Sequence, residues 1–333
     1  MEIIGALEEL DSLDHHARSA LTTELVAVAS DAAGLAEEAR RDGLDPLTIS
    51  AVAGHSQAGR TLLDVAPLPP SFSHSQFYAY AECPLRYAFE RVYRIPTEGA
   101  KSYFEFGTAI HQAFEAFVRA RRDAVAGGGP APDYGALREA FDRVWVPTNY
   151  PDAQAAEHYQ TRVEPALRRF YEREVANLGE AVDVEVGFNF ALEPGDGSPP
   201  VRFYGQIDRI DRRPDGSIEL TDYKTGRPKT QAQVDADAQL SLYALALSMG
   251  AVLDPVTGQS LPPASRLTLY FTETDQAVHT TRSTDQLDAL KVQLVQTAGR
   301  IRSGDFAATP SRSACSGCDY ARLCPRRWGE PAL

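Results

Sequence analysis

The 333-residue chain contains no run of about 18 apolar residues, the length a membrane-spanning helix needs, so no membrane span is expected. Nor does it open on a basic stretch followed by an apolar one. "MEIIGALEELDSLDHH" is acidic, no secretory signal is legible there, and the cytoplasm is the expected location. Cysteine is scarce: four in a chain this long are too few for a disulfide scaffold and point to metal binding instead. An excess of positive charge is also missing. The formal net charge of -13 argues at first sight against a nucleic-acid partner.

That charge is unevenly spread. Residues 1–70 hold twelve Asp and Glu against four Arg, a net of -8, which leaves -5 for the other 263 residues. Residues 86–101 and 310–333 each sum to +2. A cleft that coordinates divalent cations needs carboxylates of its own, so the acidic total weakens a DNA-binding reading without excluding it.

With 43% hydrophobic residues the chain can bury a sizeable core. Residues 1–65 are rich in Ala, Leu and Glu with apolar residues at helical spacing, and read as a helical segment. "GHSQAGRT" at 54–61 has the outline of a phosphate loop, but Arg60 stands where lysine belongs and no second motif follows. A loop between helices is expected there. "APLPPS" at 66–71 reads as a linker, and residues 72–328 as one domain. Within it, helices are expected over "SHSQFYAYAECPLRYAFERVYRI", interrupted at Pro84, over "YFEFGTAIHQAFEAFVRARRD", within 150–178, over 231–249 and over 284–303. "VDVEVGFNFAL" alternates strictly, with Val182, Val184, Val186, Phe188 and Phe190 on one face, and reads as a strand. "RFYGQIDRIDRR", the turn "PDG" and "SIELTDYKTG" read as a hairpin, and "SRLTLYFTE" as a further strand. The pattern implies an α/β or α+β core, a central sheet covered by helices.

If Pro214, Asp215 and Gly216 form a three-residue loop with Gly216 left-handed, paired positions sum to 430 and Asp208 lies opposite Asp222. Lys224 follows Asp222 on the same face, beside Gln206. Two carboxylates placed so are destabilising unless a cation lies between them. Magnesium takes one or two carboxylates together with waters and phosphate oxygens, and Lys224 would orient water or neutralise charge on phosphorus. The alternative is a cross-strand salt bridge between Asp208 and Lys224 on an exposed face. Elsewhere, His111 follows a glycine on a helix, and Gln239 and Tyr243 lie four apart on one helix face.

Taken in order, Gly107 with His111, Gly205 with Asp208, "DYKTG" at 222–226, and Gln239 with Tyr243 resemble the RecB-like branch of the PD-(D/E)xK nucleases. The resemblance covers residues 71–328. It implies a restriction-endonuclease-like core, a central mixed sheet flanked by helices, that hydrolyses DNA phosphodiesters with Mg²⁺ or Mn²⁺. It also implies metal ligands at His111, Asp208 and Asp222, with the Tyr223 carbonyl as a fourth. Lys224 is implied as the catalytic lysine, and Gln239 and Tyr243 as residues that position it or the DNA. Glu185, on the polar face of its strand, is a further candidate; an exposed edge glutamate is the alternative.

Cys315, Cys318 and Cys324 form a Cys-x2-Cys-x5-Cys cluster, and Cys83 is the one distant member, 232 residues before Cys315. Spacing alone favours structural zinc in a tetrahedral thiolate site. The resemblance points instead to a [4Fe-4S] cluster. One clade of RecB-like nucleases, including the AddB subunit of bacterial break-processing complexes and the CRISPR-associated adaptation nucleases, carries this arrangement. Arg86, Arg326 and Arg327, with Arg91, Arg94 and Arg322, lie near it in sequence and could form a DNA-facing rim. The expected protein is a metal-dependent DNA exonuclease acting on single strands or ends in repair or recombination. Without helicase motifs it works with a separate helicase, alone, or as a piece of a longer fusion. Residues 1–65 would dock a partner or be what is left of an upstream helicase domain. The competing classes are a non-catalytic DNA- or protein-binding module on a degenerate nuclease fold, and an RNA-processing nuclease.

Overall fold

The computed structural model describes residues 71–97, 102–177, 179–326 and 328–329. The helices expected over 1–65, the loop at 54–61 and linker residues 66–70 lie outside the described residues, while Ser71 opens strand β1 (Ser71–Phe72). The described chain divides into two compact units. The larger is drawn from Ser71–His74 and Gly99–Ala298, the smaller from Ser75–Glu98 and Gly299–Leu333.

Helix α1 (His74–Glu82) is followed by α2 (Pro84–Tyr87), which runs into a π-helical turn (Ala88–Val92). Pro84 sits in the first turn of α2, where its missing N–H costs no helical bond. The helix expected across this region therefore breaks at Cys83, the N-cap of α2.

Three helices build the main core of the larger unit: α3 (Ser102–Ala126), α4 (Tyr134–Val144) and α5 (Ala153–Ala176). Phe106, Ile110, Phe114 and Phe117 recur at three- and four-residue spacing and are buried. Phe114 stacks on Phe170 of α5 with ring centroids 3.5 Å apart. Helix α4 was not expected from the sequence; Asp133 caps it by accepting from the Ala136 N–H at 3.1 Å.

The sheet is mixed, in the order β1-β3-β4-β5-β6, with β2 also paired to β3. Its strands are β2 (Glu180–Leu192), β3 (Val201–Arg212), β4 (Ile218–Lys224), β5 (Arg266–Phe271) and β6 (Gln276–Thr280). The short β6 was not expected. The β3–β4 hairpin has the register read from the sequence, Arg209 opposite Thr221 and Arg212 opposite Ile218, and Gly216 is left-handed at φ 82°. The paired ladder ends at Arg209. Because β2 occupies one edge of β3 throughout, β1 and β4 share the other, and the stretch between Phe203 and Arg209 has neither beside it. Gln206 therefore does not lie in a ladder beside Lys224; its amide donates to the Glu185 carbonyl at 3.1 Å.

Strict alternation along β2 also fails: its register with β3 slips by one residue between Ala181 and Asp183, and a second irregularity follows. Glu185 is left-handed at φ 51°. Before it, Val184 joins the core of α3 and α5; after it, Phe188 meets Tyr243, with ring centroids 5.9 Å apart. The helix expected over 231–249 is two: α6 (Gln231–Asp235) and α7 (Ala238–Ser248), because Asp237 turns out of the helix and caps the second. Helix α8 (Thr284–Arg302) and the short α9 (Arg312–Cys315) complete the described chain.

Candidate active site

Asp208 stands where β3 parts from β4. Its Oδ2 accepts from the backbone N–H of Tyr223 at 2.7 Å, so a side chain replaces the next ladder bond. Asp222 is 1% exposed and Asp208 8%, so the two do not lie on an exposed sheet face. Lys224 instead places its ammonium 2.7 Å from Asp222 Oδ2 and donates to Gln239 Oε1 at 2.8 Å. Gln239 donates to the Tyr243 hydroxyl at 2.7 Å, and that hydroxyl reaches Asp222 Oδ1 at 3.5 Å. Asp222, Lys224, Gln239 and Tyr243 thus form a closed ring that fixes the ammonium from two sides.

Glycines make room for this arrangement. A Cβ on Gly205 would lie 2.5 Å from the Phe188 ring, which crosses the glycine and supports Tyr243. A Cβ on Gly107 would lie 3.2 Å from Thr225 Oγ1, so Gly107 lets α3 approach the residue after Lys224. Four residues on, the same helix face carries His111. Its Nε2 donates to the Tyr223 carbonyl at 3.0 Å, and its Nδ1 lies 3.4 Å from Asp208 Oδ2.

Around Asp208 carboxylates outnumber cations. Burial pushes the Asp208 carboxyl well above the usual range, and the neighbouring Asp222 and Glu185 charges add to it. Glu185 is pushed up to about 7, by burial and then by Glu115 and Asp222. Burial holds His111 below its ordinary value, helped by Lys224. A neutral His111 that spends its N–H on a carbonyl turns a bare lone pair toward Asp208. Two acceptors 3.4 Å apart need a proton or a cation between them. Ligand atoms of His111, Glu185 and Asp208 all lie within 4.8 Å of one another, and the set of one nitrogen and two carboxylates suits a hard divalent ion. Asp222 lies outside that tight set, paired with Lys224, and the Tyr223 carbonyl has one lone pair taken by His111. Burial works to lower the Lys224 pKa, but Asp222, Asp208 and Asp237 outweigh it and keep the ammonium charged.

His74 was missed by the sequence reading. It is held below its usual pKa by burial and feels the charges of Asp237, Lys224 and Asp222. Nothing in "SHSQF" ties that histidine to residues so far along the chain. The left-handed Glu185 has no sequence signal either, since φ above zero usually belongs to glycine or asparagine.

In the smaller unit, Cys83, Cys315, Cys318 and Cys324 converge on a cavity walled by Leu85, Phe89, Ala314 and Tyr320. None is in a disulfide. Burial raises the thiols of Cys318 and Cys324, and the other cysteines raise them further. Arg86 and Arg326 line the same cavity, and Arg86 is also paired with Glu82 at 2.7 Å. Arg327 lies outside the described residues.

The sequence model of the PD-(D/E)XK nuclease superfamily matches residues 71–325. No curated protein matches. Among solved structures, the chain is similar to one titled "Crystal structure of SSO0001", at 14% identity and a TM-score of 0.34, over 67% of this chain and 94% of that one.

Proposed function

The chain belongs to the PD-(D/E)XK nuclease superfamily, and from that premise we propose that it is a Mg²⁺- or Mn²⁺-dependent DNA exonuclease of the RecB-like, iron–sulfur branch, acting on single strands or ends in repair or recombination. What carries the reading is the bare His111 Nδ1 facing Asp208 across 3.4 Å, with Glu185 beside them. His111, Glu185 and Asp208 would hold the ion, with Asp222 close by. A divalent ion bound there would supply Lewis acidity and acidify a coordinated water. Lys224, fixed by Asp222 and Gln239, holds a positive charge where charge grows on the attacked phosphate. Gln239 and Tyr243 are positioning residues on this reading, since their bonds end on Lys224 and Asp222.

On this reading the four cysteines that converge on one cavity would hold a [4Fe-4S] cluster, with zinc as the alternative. The Arg86 charge works to lower the Cys318 thiol, the direction that thiolate ligation needs. A helicase, as a separate chain or an upstream domain, is the motor such a nuclease would use.

The test is protein prepared without oxygen and incubated with Mg²⁺ or Mn²⁺ on end-labelled single- and double-stranded DNA. Progressive shortening from one end is expected; discrete internal products would make it an endonuclease, and no cleavage with either ion would leave a binding module. The same preparation should be brown and contain iron, whereas colourless protein with one zinc per chain would remove the iron–sulfur assignment.

A further inference from the structure

Beside the loop that follows Lys224 lies a cavity of about 430 Å³ whose lining includes Tyr103, Phe106, Tyr159, Arg162 and Arg227. Its size lies in the range of small-molecule sites. Tyr103 is 52% exposed and Phe104 59%, although both are large aromatics, and their rings lie 4.2 Å apart. Phe106 and Tyr159 line the interior, ring centroids 5.3 Å apart. The Arg162 guanidinium lies 5.0 Å over the first ring and 4.9 Å over the second, and is clamped by both oxygens of Glu273. Arg227 is exposed at the rim and has no acidic partner among the described residues.

An exposed aromatic face, Tyr103, with an exposed cation, Arg227, on the same cavity is what an unpaired nucleobase and its phosphate require. The position fits as well. Tyr103, Gly107 and His111 are spaced by four and share one face of α3. Eight residues at about 1.5 Å each put Tyr103 about 12 Å along the helix from the metal-ligand candidate, within a few nucleotides of the reacting phosphate. Thr225 and Gly226, directly after Lys224, line the same cavity.

We propose that this cavity is a base-stacking subsite that takes one splayed nucleobase of single-stranded DNA, with Tyr103 as its stacking face and Arg227 on the neighbouring phosphate. The proposal rests on the nuclease reading for the identity of the strand. It makes an unpaired strand, rather than a duplex end, the substrate that is bound, because a base held in its pair cannot enter.

The test measures binding without catalysis. Single-stranded oligonucleotides carrying 2-aminopurine at successive positions are titrated with the full chain in chelator, alongside the matching duplexes. Quenching confined to one or two positions of the single strand is expected. Tyr103→Ala should abolish that quenching and weaken binding about 10-fold, the stacking of one base, while Tyr103→Trp restores it. An abasic residue at the quenched position should weaken the parent protein about 10-fold and leave Tyr103→Ala no weaker still, because both changes remove one interaction. Quenching at every position alike, equal quenching in duplexes, or additive effects of the two changes would overturn the subsite. Position-specific quenching with no cleavage under Mg²⁺ or Mn²⁺ would keep the subsite and remove the nuclease reading. Cleavage without it would do the reverse.

Discussion

Asp208 and Arg209 are neighbours on one strand, and both are buried, yet their surroundings differ in kind. Arg209 donates to both oxygens of Asp211 at 2.7 Å and also to Glu174, which has Arg121 beside it. Two cations there meet two carboxylates, and the charge closes. Around Asp208, the carboxylates of Asp208, Asp222 and Glu185 face a single ammonium, Lys224. One buried charge is satisfied within the chain, while the adjacent cluster keeps more carboxylates than cations. On the proposed reading, structural charge is closed within the chain and the charge of the site is left for a metal ion to close.

Removing one carboxylate should separate the two sides most sharply. Asp222→Asn keeps shape and lowers the excess of negative charge, so it should fold with an unchanged or raised melting temperature and lose cleavage by orders of magnitude. Cleavage close to the parental rate would mean that the deficit is not functional. Lys224→Ala removes one preorganised cation and should cost about 10²- to 10³-fold in rate while metal affinity, followed by calorimetry, survives.

On the closed side the readout changes from rate to stability. Arg209→Met leaves Asp211 and Glu174 buried without their shared partner and should cost about 3–5 kcal/mol in denaturant unfolding. A cost under 1 kcal/mol would break the contrast. Gly205→Ala tests how the two sides share scaffolding: a Cβ 2.5 Å from the Phe188 ring overpacks the core at about 1–3 kcal/mol. It should also lower the rate, because Phe188 supports Tyr243.

The gentlest test is pH. Glu185 titrates near 7 when folded against 4.5 ordinarily, so the folded state binds its proton more tightly. Its contribution is fully present below about 4.5 and is lost as pH rises to about 7. Metal-free protein should therefore melt at falling temperature across that window, and Glu185→Gln should flatten the slope. A slope that Glu185→Gln leaves intact would assign it to other groups.

Much of the site was legible because its residues sit on short, strongly patterned pieces of chain. "PDG" fixes the hairpin register, and with it the placing of Asp208 near Asp222. The spacing from Gly107 to His111 and from Gln239 to Tyr243 is one helical turn. What was illegible depends on contacts between distant segments or on backbone twist. His74 is brought in by packing, β6 is too short to show a period, and the parity of β2 is broken by a residue type that carries no turn signal. The neutral-looking pair of Asp222 and Lys224 also hid its burial, since charge spacing along a strand says nothing about depth.

The smaller unit has a consequence in time. Tyr80 donates to the Asp305 carbonyl and Tyr320 to that of Ile95, so residues from both sides of the larger unit must be present before it can close. At about 5–20 residues per second on a ribosome, the 232 residues between Cys83 and Cys315 take roughly 10 to 50 s to appear. Through that interval Cys83, Leu85 and Phe89 wait on the nascent chain without their mates, while the intervening core has all its sequence and can finish first. The smaller unit can then close only after the sequence of the larger one has been made, and slower synthesis lengthens the exposure of a lone thiol.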